Sequence, residues 1–133
     1  MPRQIWIVIA IAATTITGCS STPQDNTTTV CAEYYAMTEQ FLKESPEGRA
    51  LTDAAERQYK GTIDKADYQA AVTTFNKAFG ARLKPLANEA TKPELRNALT
   101  GLSDSYSSGE SDVAGISNIA KICPDPSSSP SRK

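Results

Sequence analysis

Apolar positions recur at helical spacing through the middle of the chain. Between residues 30 and 123 four stretches repeat an apolar side chain every three or four positions, which places these side chains on one face of a helix, whereas a strand would need strict alternation. The stripes are Val30, Tyr34, Met37 and Phe41; Tyr68, Val72, Phe75, Phe79 and Leu86; Leu95, Leu99, Leu102 and Tyr106; and Val113, Ile116, Ala120 and Cys123, widened by Ile119 and Ile122. A weaker helix, with a mostly alanine apolar side, is predicted over 50–59. The pattern predicts an all-α domain over 30–123, a small bundle of four or five helices.

Capping and breaking residues separate these stripes. The segment 45–48, Ser-Pro-Glu-Gly, can end the first helix and start the second. Thr91 precedes Glu94 by three residues, which predicts a capping box. Pro85 lies within the long third stripe and predicts a kink or break near 80–85. The remaining boundaries are predicted at Gly61 with Asp64 and at Ser107 to Gly109, followed by a cap from Ser111 or Asp112.

The first nineteen residues follow a different pattern. A short start with one positive charge, Arg3, precedes an apolar run from Ile5 to Ile16, and polar sequence begins directly afterwards. A helix needs roughly 20 apolar residues to span a bilayer core, so this run is short for a span. The layout is typical of a secretory signal peptide over residues 1–18. The alternative is an uncleaved buried helix or a signal anchor.

The end of this leader resembles the lipobox of bacterial prolipoproteins. Ile16, Thr17, Gly18 and Cys19 supply a branched aliphatic residue, a small polar residue, a glycine and the obligatory cysteine. The resemblance implies that the Cys19 thiol is joined to a diacylglycerol and that a signal peptidase cuts between Gly18 and Cys19. It implies a protein held in the cell membrane by its lipid, on the extracytoplasmic face. Ser20 would permit transit to an outer membrane in a host with two membranes. The domain behind the leader resembles no specific family.

Polar segments flank the predicted domain on both sides. Residues 20–29 are polar or proline, and cannot bury a core. We therefore predict that 19–29 comprises the lipidated cysteine and a flexible stalk. Residues 124–133, rich in serine and proline, are predicted as a disordered tail of the same kind.

The cysteine count depends on the leader. The chain has three cysteines, an odd number that leaves one to explain in an exported protein. If lipid takes Cys19, then Cys31 and Cys123 remain, and in an oxidising extracytoplasmic compartment they are expected to pair. The alternative is two buried free thiols in a cytosolic protein, which would also require a different interpretation of the leader. A redox motif is disfavoured because no CxxC spacing occurs.

Composition narrows the possible chemistry. The chain has 14 Lys+Arg against 15 Asp+Glu, a balance that disfavours nucleic-acid binding. It has no histidine, which excludes Ser-His-Asp and Cys-His nucleophiles and the commonest zinc sites. The pairs Asp64/Asp67 and Asp53/Glu56 could share a proton or hold a cation, but caps and solvated faces are the favoured interpretation. We therefore predict no enzyme, and no catalytic residue, metal or cofactor.

Three functions fit a small helical lipoprotein. The first is a membrane-tethered interaction module, whose stalk gives the domain reach toward an envelope protein. The second is a carrier for a lipid or solute, which needs an apolar cavity. Aromatic side chains that could line a groove, although core positions are favoured for them, are Tyr34, Tyr35, Tyr68, Phe75 and Phe79. The third is a prophage-type lipoprotein that blocks superinfecting phage. The interaction module is preferred, with its partner unassigned.

Overall fold

The computed structural model describes residues 24–126 and places five helices in them. The helices are α1 (Thr27–Glu44), α2 (Pro46–Tyr59), α3 (Lys65–Glu89), α4 (Pro93–Ser107) and α5 (Val113–Ile122). This segment contains no strand, which confirms the predicted all-α bundle. The predicted signal peptide (1–18), Cys19 and residues 127–133 lie outside the described residues. Of the helices in 24–126, none has both the length and the apolar character needed to cross a membrane.

Ser45 forms the corner between α1 and α2. Its Oγ donates to the Phe41 carbonyl at 2.5 Å and accepts from the Gly48 N–H at 2.9 Å, so one side chain serves both helix ends. Pro46 follows at the first helical position, where its missing N–H costs nothing. A side chain on Gly48 would overlap the carbonyl oxygens of Phe41 and Leu42. The predicted corner at 45–48 is therefore confirmed.

Two other caps come from aspartates. Asp64 accepts from the Asp67 N–H at 2.8 Å and begins α3. Asp112, rather than Ser111, accepts from the Gly115 N–H at 2.7 Å and begins α5. These carboxylates satisfy backbone donors that a helix start leaves free.

Two boundaries differ from the predictions. α3 runs for 25 residues through Pro85, so of the predicted kink or break near 80–85 the break is wrong. Pro85 itself is exposed, while Leu83, Leu86 and Ala87 beside it are buried. Their burial offsets the roughly 3 kcal/mol that an interior proline costs. At the other boundary, α1 begins at Thr27, so three residues predicted as stalk form its first turn.

The core lies between α3 and α4, the most closely packed helix pair in residues 24–126. All four predicted apolar positions of α4 are buried, and so are Val30, Tyr34 and Phe41 of α1. α4 approaches α3 at Gly80, whose carbonyl accepts from the Ser103 hydroxyl at 2.7 Å.

The predicted apolar face of α5 needs correction. Val113 is 77% exposed and Ile116 is 41% exposed, whereas Ile119 and Cys123 are fully buried. Ala120 is also exposed. α5 is only 10 residues long and is tied down at its C-terminal end, so the position of Cys123 decides which side of the helix meets the core. Ile119 lies one turn before Cys123 on that side.

Gly80 provides a test of the α3–α4 contact. A Cβ at this position would lie 2.5 Å from the Ser107 amide nitrogen and 2.8 Å from the Ser103 carbonyl oxygen. We expect Gly80→Ala to push the helices apart and to lower the free energy of unfolding by about 1–3 kcal/mol, measured by urea denaturation.

Gly101→Ala is the matched control. Gly101 lies inside α4, and a Cβ added there would meet no neighbouring helix within 4 Å. Alanine should stabilise the domain at this position by about 0.4–1 kcal/mol. Equal effects of the two substitutions would contradict the close approach at Gly80.

Candidate functional site

The disulfide between Cys31 and Cys123 joins the second turn of α1 to the end of α5. The Cα atoms lie 5.3 Å apart, within the range usual for disulfides. Cys123 is fully buried and Cys31 is half-buried. The predicted pairing is confirmed, and the alternative of two free thiols is wrong.

Tyr35 reinforces this junction. Its hydroxyl donates to the Cys123 carbonyl at 2.5 Å, and so satisfies an acceptor at the end of α5. Burial raises the pKa of Tyr35, and the nearby Asp125 charge raises it further. The neighbouring ring of Tyr34 packs edge-on at 5.2 Å, and burial raises the pKa of Tyr34 to about 12. Both phenols therefore remain protonated at neutral pH.

Most of the predicted aromatic positions belong to the core. Phe41, Phe75 and Phe79 contact one another with ring centroids 5.4–5.8 Å apart, and Tyr106 packs edge-on against Phe79 at 5.3 Å. Such pairs stabilise a core beyond the area that they bury. Of the five aromatics that could have lined a groove, Tyr34 and Phe79 are buried in the core, Phe75 packs against it and Tyr68 is half-buried on α3. Tyr35 lines a groove beside the disulfide.

An open groove of about 490 Å³ lies beside the disulfide, between the outer face of α1 and the residues after α5. This disulfide groove is lined mainly by apolar side chains, including Cys31, Ala32, Tyr35, Ala36, Ile122 and Pro124. Glu39 lies at its far end along α1 and pairs with Lys43 at 2.5 Å. A second groove, of about 660 Å³, lies between the α1–α2 corner and α3, and its lining includes Gln40, Glu44, Glu47 and Arg82. The disulfide groove is the more apolar of the two.

A cluster of hydrogen bonds fastens the start of α1 to the loop between α3 and α4. The Thr91 N–H donates to Asn26 Oδ1 at 2.9 Å, and the Asn26 N–H donates to Thr91 Oγ1 at 3.2 Å. Asn26 Nδ2 donates to the Glu89 carbonyl at 2.8 Å, and Thr91 Oγ1 also lies 3.0 Å from the Gln24 carbonyl. We call this cluster the Asn26–Thr91 clamp.

The clamp overturns two predictions. Thr91 does not cap α4; the residue before that helix is Lys92, which makes no side-chain cap bond. The Thr91 hydroxyl accepts from the Asn26 N–H instead and gives its one proton to the Gln24 carbonyl, while Asn26 Oδ1 accepts from the Thr91 N–H. Residues 24–26, predicted as stalk, are therefore attached to the domain. Asn26 and Thr91 lie 65 positions apart, and nothing in the local sequence indicates their contact.

The carboxylate pairs remain separate from these features. Asp64 and Asp67 are joined through the cap of α3, as the favoured interpretation expects. Asp53 and Glu56 lie in the second half of α2 rather than near a helix start, and Glu56 pairs with Lys60. Within residues 24–126 no three His, Cys, Asp or Glu side chains are grouped so that they could hold a metal ion.

No family model, curated protein or solved structure matches this chain. The functional argument therefore rests on the chain's own residues. Of the predicted site residues, Cys31 and Cys123 are brought together, whereas Ile16, Thr17, Gly18 and Cys19 lie outside the described residues.

The disulfide is expected to contribute a large share of the domain's stability. Closing 92 residues stabilises a folded chain by about 4–5 kcal/mol in the chain-entropy model. We expect Cys31→Ser to lower the melting temperature by about 10 °C or more, measured by circular dichroism on exported protein.

Reducing the disulfide in the wild type is the matched control for Cys31→Ser. Reductant should lower the melting temperature of the wild type toward that of Cys31→Ser, and it should leave the variant unchanged. A wild type that melts at the same temperature with and without reductant would refute a stabilising disulfide.

Proposed function

We propose that this chain is an exported lipoprotein, held on the extracytoplasmic face of a membrane by a diacylglycerol on Cys19. The observation that carries the proposal is the pairing of Cys31 with Cys123. Disulfides form and persist in oxidising compartments, which supports export. The pairing also leaves Cys19 as the one cysteine of the three available for lipid, at the end of a segment that resembles a lipobox.

We further propose that the helical domain is a non-enzymatic interaction module for another envelope protein. The absence of histidine supports this proposal, because acid–base work would fall to carboxylates, lysines or tyrosines. Asp64 and Asp112 are occupied as helix caps. Burial raises the pKa of Tyr34 and of Tyr35 further from neutral pH, which disfavours either phenol as a base. These side chains stabilise the fold, and their hydrogen bonds and burial account for their positions.

Metabolic labelling tests the anchor. In a bacterial host fed an alkyne-tagged fatty acid, the wild-type chain should incorporate label and Cys19→Ser should not, because the lipid is attached through the Cys19 thiol. In-gel fluorescence after coupling a dye to the alkyne gives the measurement.

A double variant, Cys31→Ser with Cys123→Ser, controls for general effects of removing cysteines. It keeps the lipobox and should keep its label per molecule. Label on Cys19→Ser at the wild-type level, or none on the wild type, would refute lipidation at Cys19.

The disulfide groove supports a second candidate, a carrier for a lipid or an apolar solute. Its volume of about 490 Å³ falls in the range of small-molecule sites, and its lining is mainly apolar. Tyr35 adds an aromatic face beside Cys31 and Ile122. The groove is open on one side, so a ligand would be partly covered.

Ala32→Glu tests this candidate, because it puts a carboxylate into the apolar lining at an exposed helix position. If the groove binds a ligand, a fluorescent fatty acid should bind the wild type saturably and bind the variant about tenfold more weakly. Ala55→Glu, at an exposed position of α2, is the control and should bind as the wild type does. A wild type that shows no saturable binding would exclude the fatty-acid carrier.

A further inference from the structure

The Asn26–Thr91 clamp sets how far the folded domain can stand from a lipid on Cys19. Residue 24 is already bonded to the domain through its carbonyl, so five peptide units separate it from Cys19. At 3.3–3.6 Å per residue these span at most about 18 Å. A stalk running to Val30 would span about 40 Å at full extension.

We infer that the clamp is a spacing device, which holds the corner formed by the start of α1 and the α3–α4 loop against the membrane surface. The inference rests on the proposed lipid anchor. It deepens that proposal by naming the surface that faces the lipid headgroups.

The reach of the connection from Cys19, compared with the thickness of the headgroup layer, places this corner next to the lipid surface. The headgroup layer of a leaflet takes up about 5–8 Å of the available distance. The remaining distance, roughly 10–13 Å, is about the diameter of one helix. No folded protein domain fits between the corner and the bilayer, so a protein partner must approach the domain from the side or from above.

The side chains at the corner suit contact with polar headgroups. Asp25 and Lys92 lie there with opposite charges, and Lys92 is 3.9 Å from Glu94. Hydrogen bonds from the Thr27 hydroxyl and the Thr27 N–H lower the pKa of Asp25, which is exposed. The corner is polar and of mixed charge, which favours resting on the headgroup layer over insertion into the acyl chains.

Energy transfer to the bilayer measures the spacing. The full chain, purified from the bacterial host in which it was processed, is reconstituted in vesicles of phosphatidylethanolamine and phosphatidylglycerol that carry an acceptor dye on the headgroups. A donor dye is attached through a non-natural amino acid, so that no new cysteine disturbs the disulfide. It is placed at exposed position 88, near the corner, or at exposed position 59, beyond the far end of α3. α3 is 25 residues, about 37 Å long, so the two positions are well separated.

We expect strong transfer from position 88 in the wild type. Asn26→Ala and Thr91→Val should lower it, because opening the clamp frees residues 24–26 and lengthens the connection by about 10 Å. Thr74→Val is the matched control: it removes an exposed threonine hydroxyl that bonds only within α3, and it should leave transfer unchanged. Six Gly-Ser residues inserted between Pro23 and Gln24 should lower transfer while leaving the clamp intact.

Hydrogen exchange measures the clamp itself. The amide N–H groups of Asn26 and Thr91 both donate within the clamp, so both should exchange slowly in the wild type. In Asn26→Ala the Thr91 amide loses its acceptor and should exchange about tenfold faster. Transfer from position 88 that is no stronger than in the Gly-Ser variant, or that is insensitive to Asn26→Ala, would overturn the spacing device.

Vesicle flotation separates failure of the spacing device from failure of the anchor. If the full-length wild type purified from the bacterial host does not float with vesicles, the anchor and the spacing device both fall, even where hydrogen exchange finds the clamp closed. If it floats but transfer from position 88 is weak, the anchor stands and the spacing device falls.

Discussion

The Cys31–Cys123 disulfide connects the two ends of the helical domain and closes 92 residues into a loop. A domain of this size is stabilised by about 5–15 kcal/mol in total, and such a closure contributes about 4–5 kcal/mol in the chain-entropy model. α5 depends on it most, since this helix is 10 residues long and buries mainly Ile119 before reaching Cys123. An isolated helix of this length is marginal in water, so its position follows from the covalent link and from its packing on α4.

α1 needs the same support at its own beginning. Its packing against α2 and α3 is less extensive than the α3–α4 packing that forms the centre of the bundle. Three separate contacts compensate along its length: the Asn26–Thr91 clamp precedes the first turn, the disulfide holds the second turn, and Phe41 packs into the aromatic cluster near the C-terminal end. Ser45 then fixes the direction in which the chain leaves.

Most features that depend on nearby residues can be predicted from the sequence, although the Thr91–Glu94 spacing does not form the capping box that it predicts. The α4 stripe, most of the α1 stripe, the C-terminal part of the α3 stripe and the caps at Ser45, Asp64 and Asp112 arise from spacings of a few residues, and the structure contains them. The face of α5 cannot be predicted from its stripe, because a distant covalent bond selects Ile119 over Val113 and Ile116. Local propensity predicts a kink or break near 80–85 because it does not include the burial of Leu83 and Leu86 beside Pro85, where the helix continues.

The Asn26–Thr91 clamp shows why a polar segment is not necessarily a stalk. Composition predicts flexibility from the lack of apolar surface to bury, and residues 24–29 have little. Asn26 and Thr91, however, carry between them donors and acceptors that satisfy each other and two stretches of backbone, so the segment is ordered by hydrogen bonds at the edge of the bundle. Each such bond contributes only about 0.5–1.5 kcal/mol, which is enough to position a chain end that α1 and the disulfide already bring close. The clamp also changes the length of the stalk. Because residues 24–29 belong to the domain, the connection from Cys19 to the domain is about half as long as the sequence predicts. On the proposed anchor at Cys19, the domain lies close to the bilayer, and a partner would have to meet it from the side or from above.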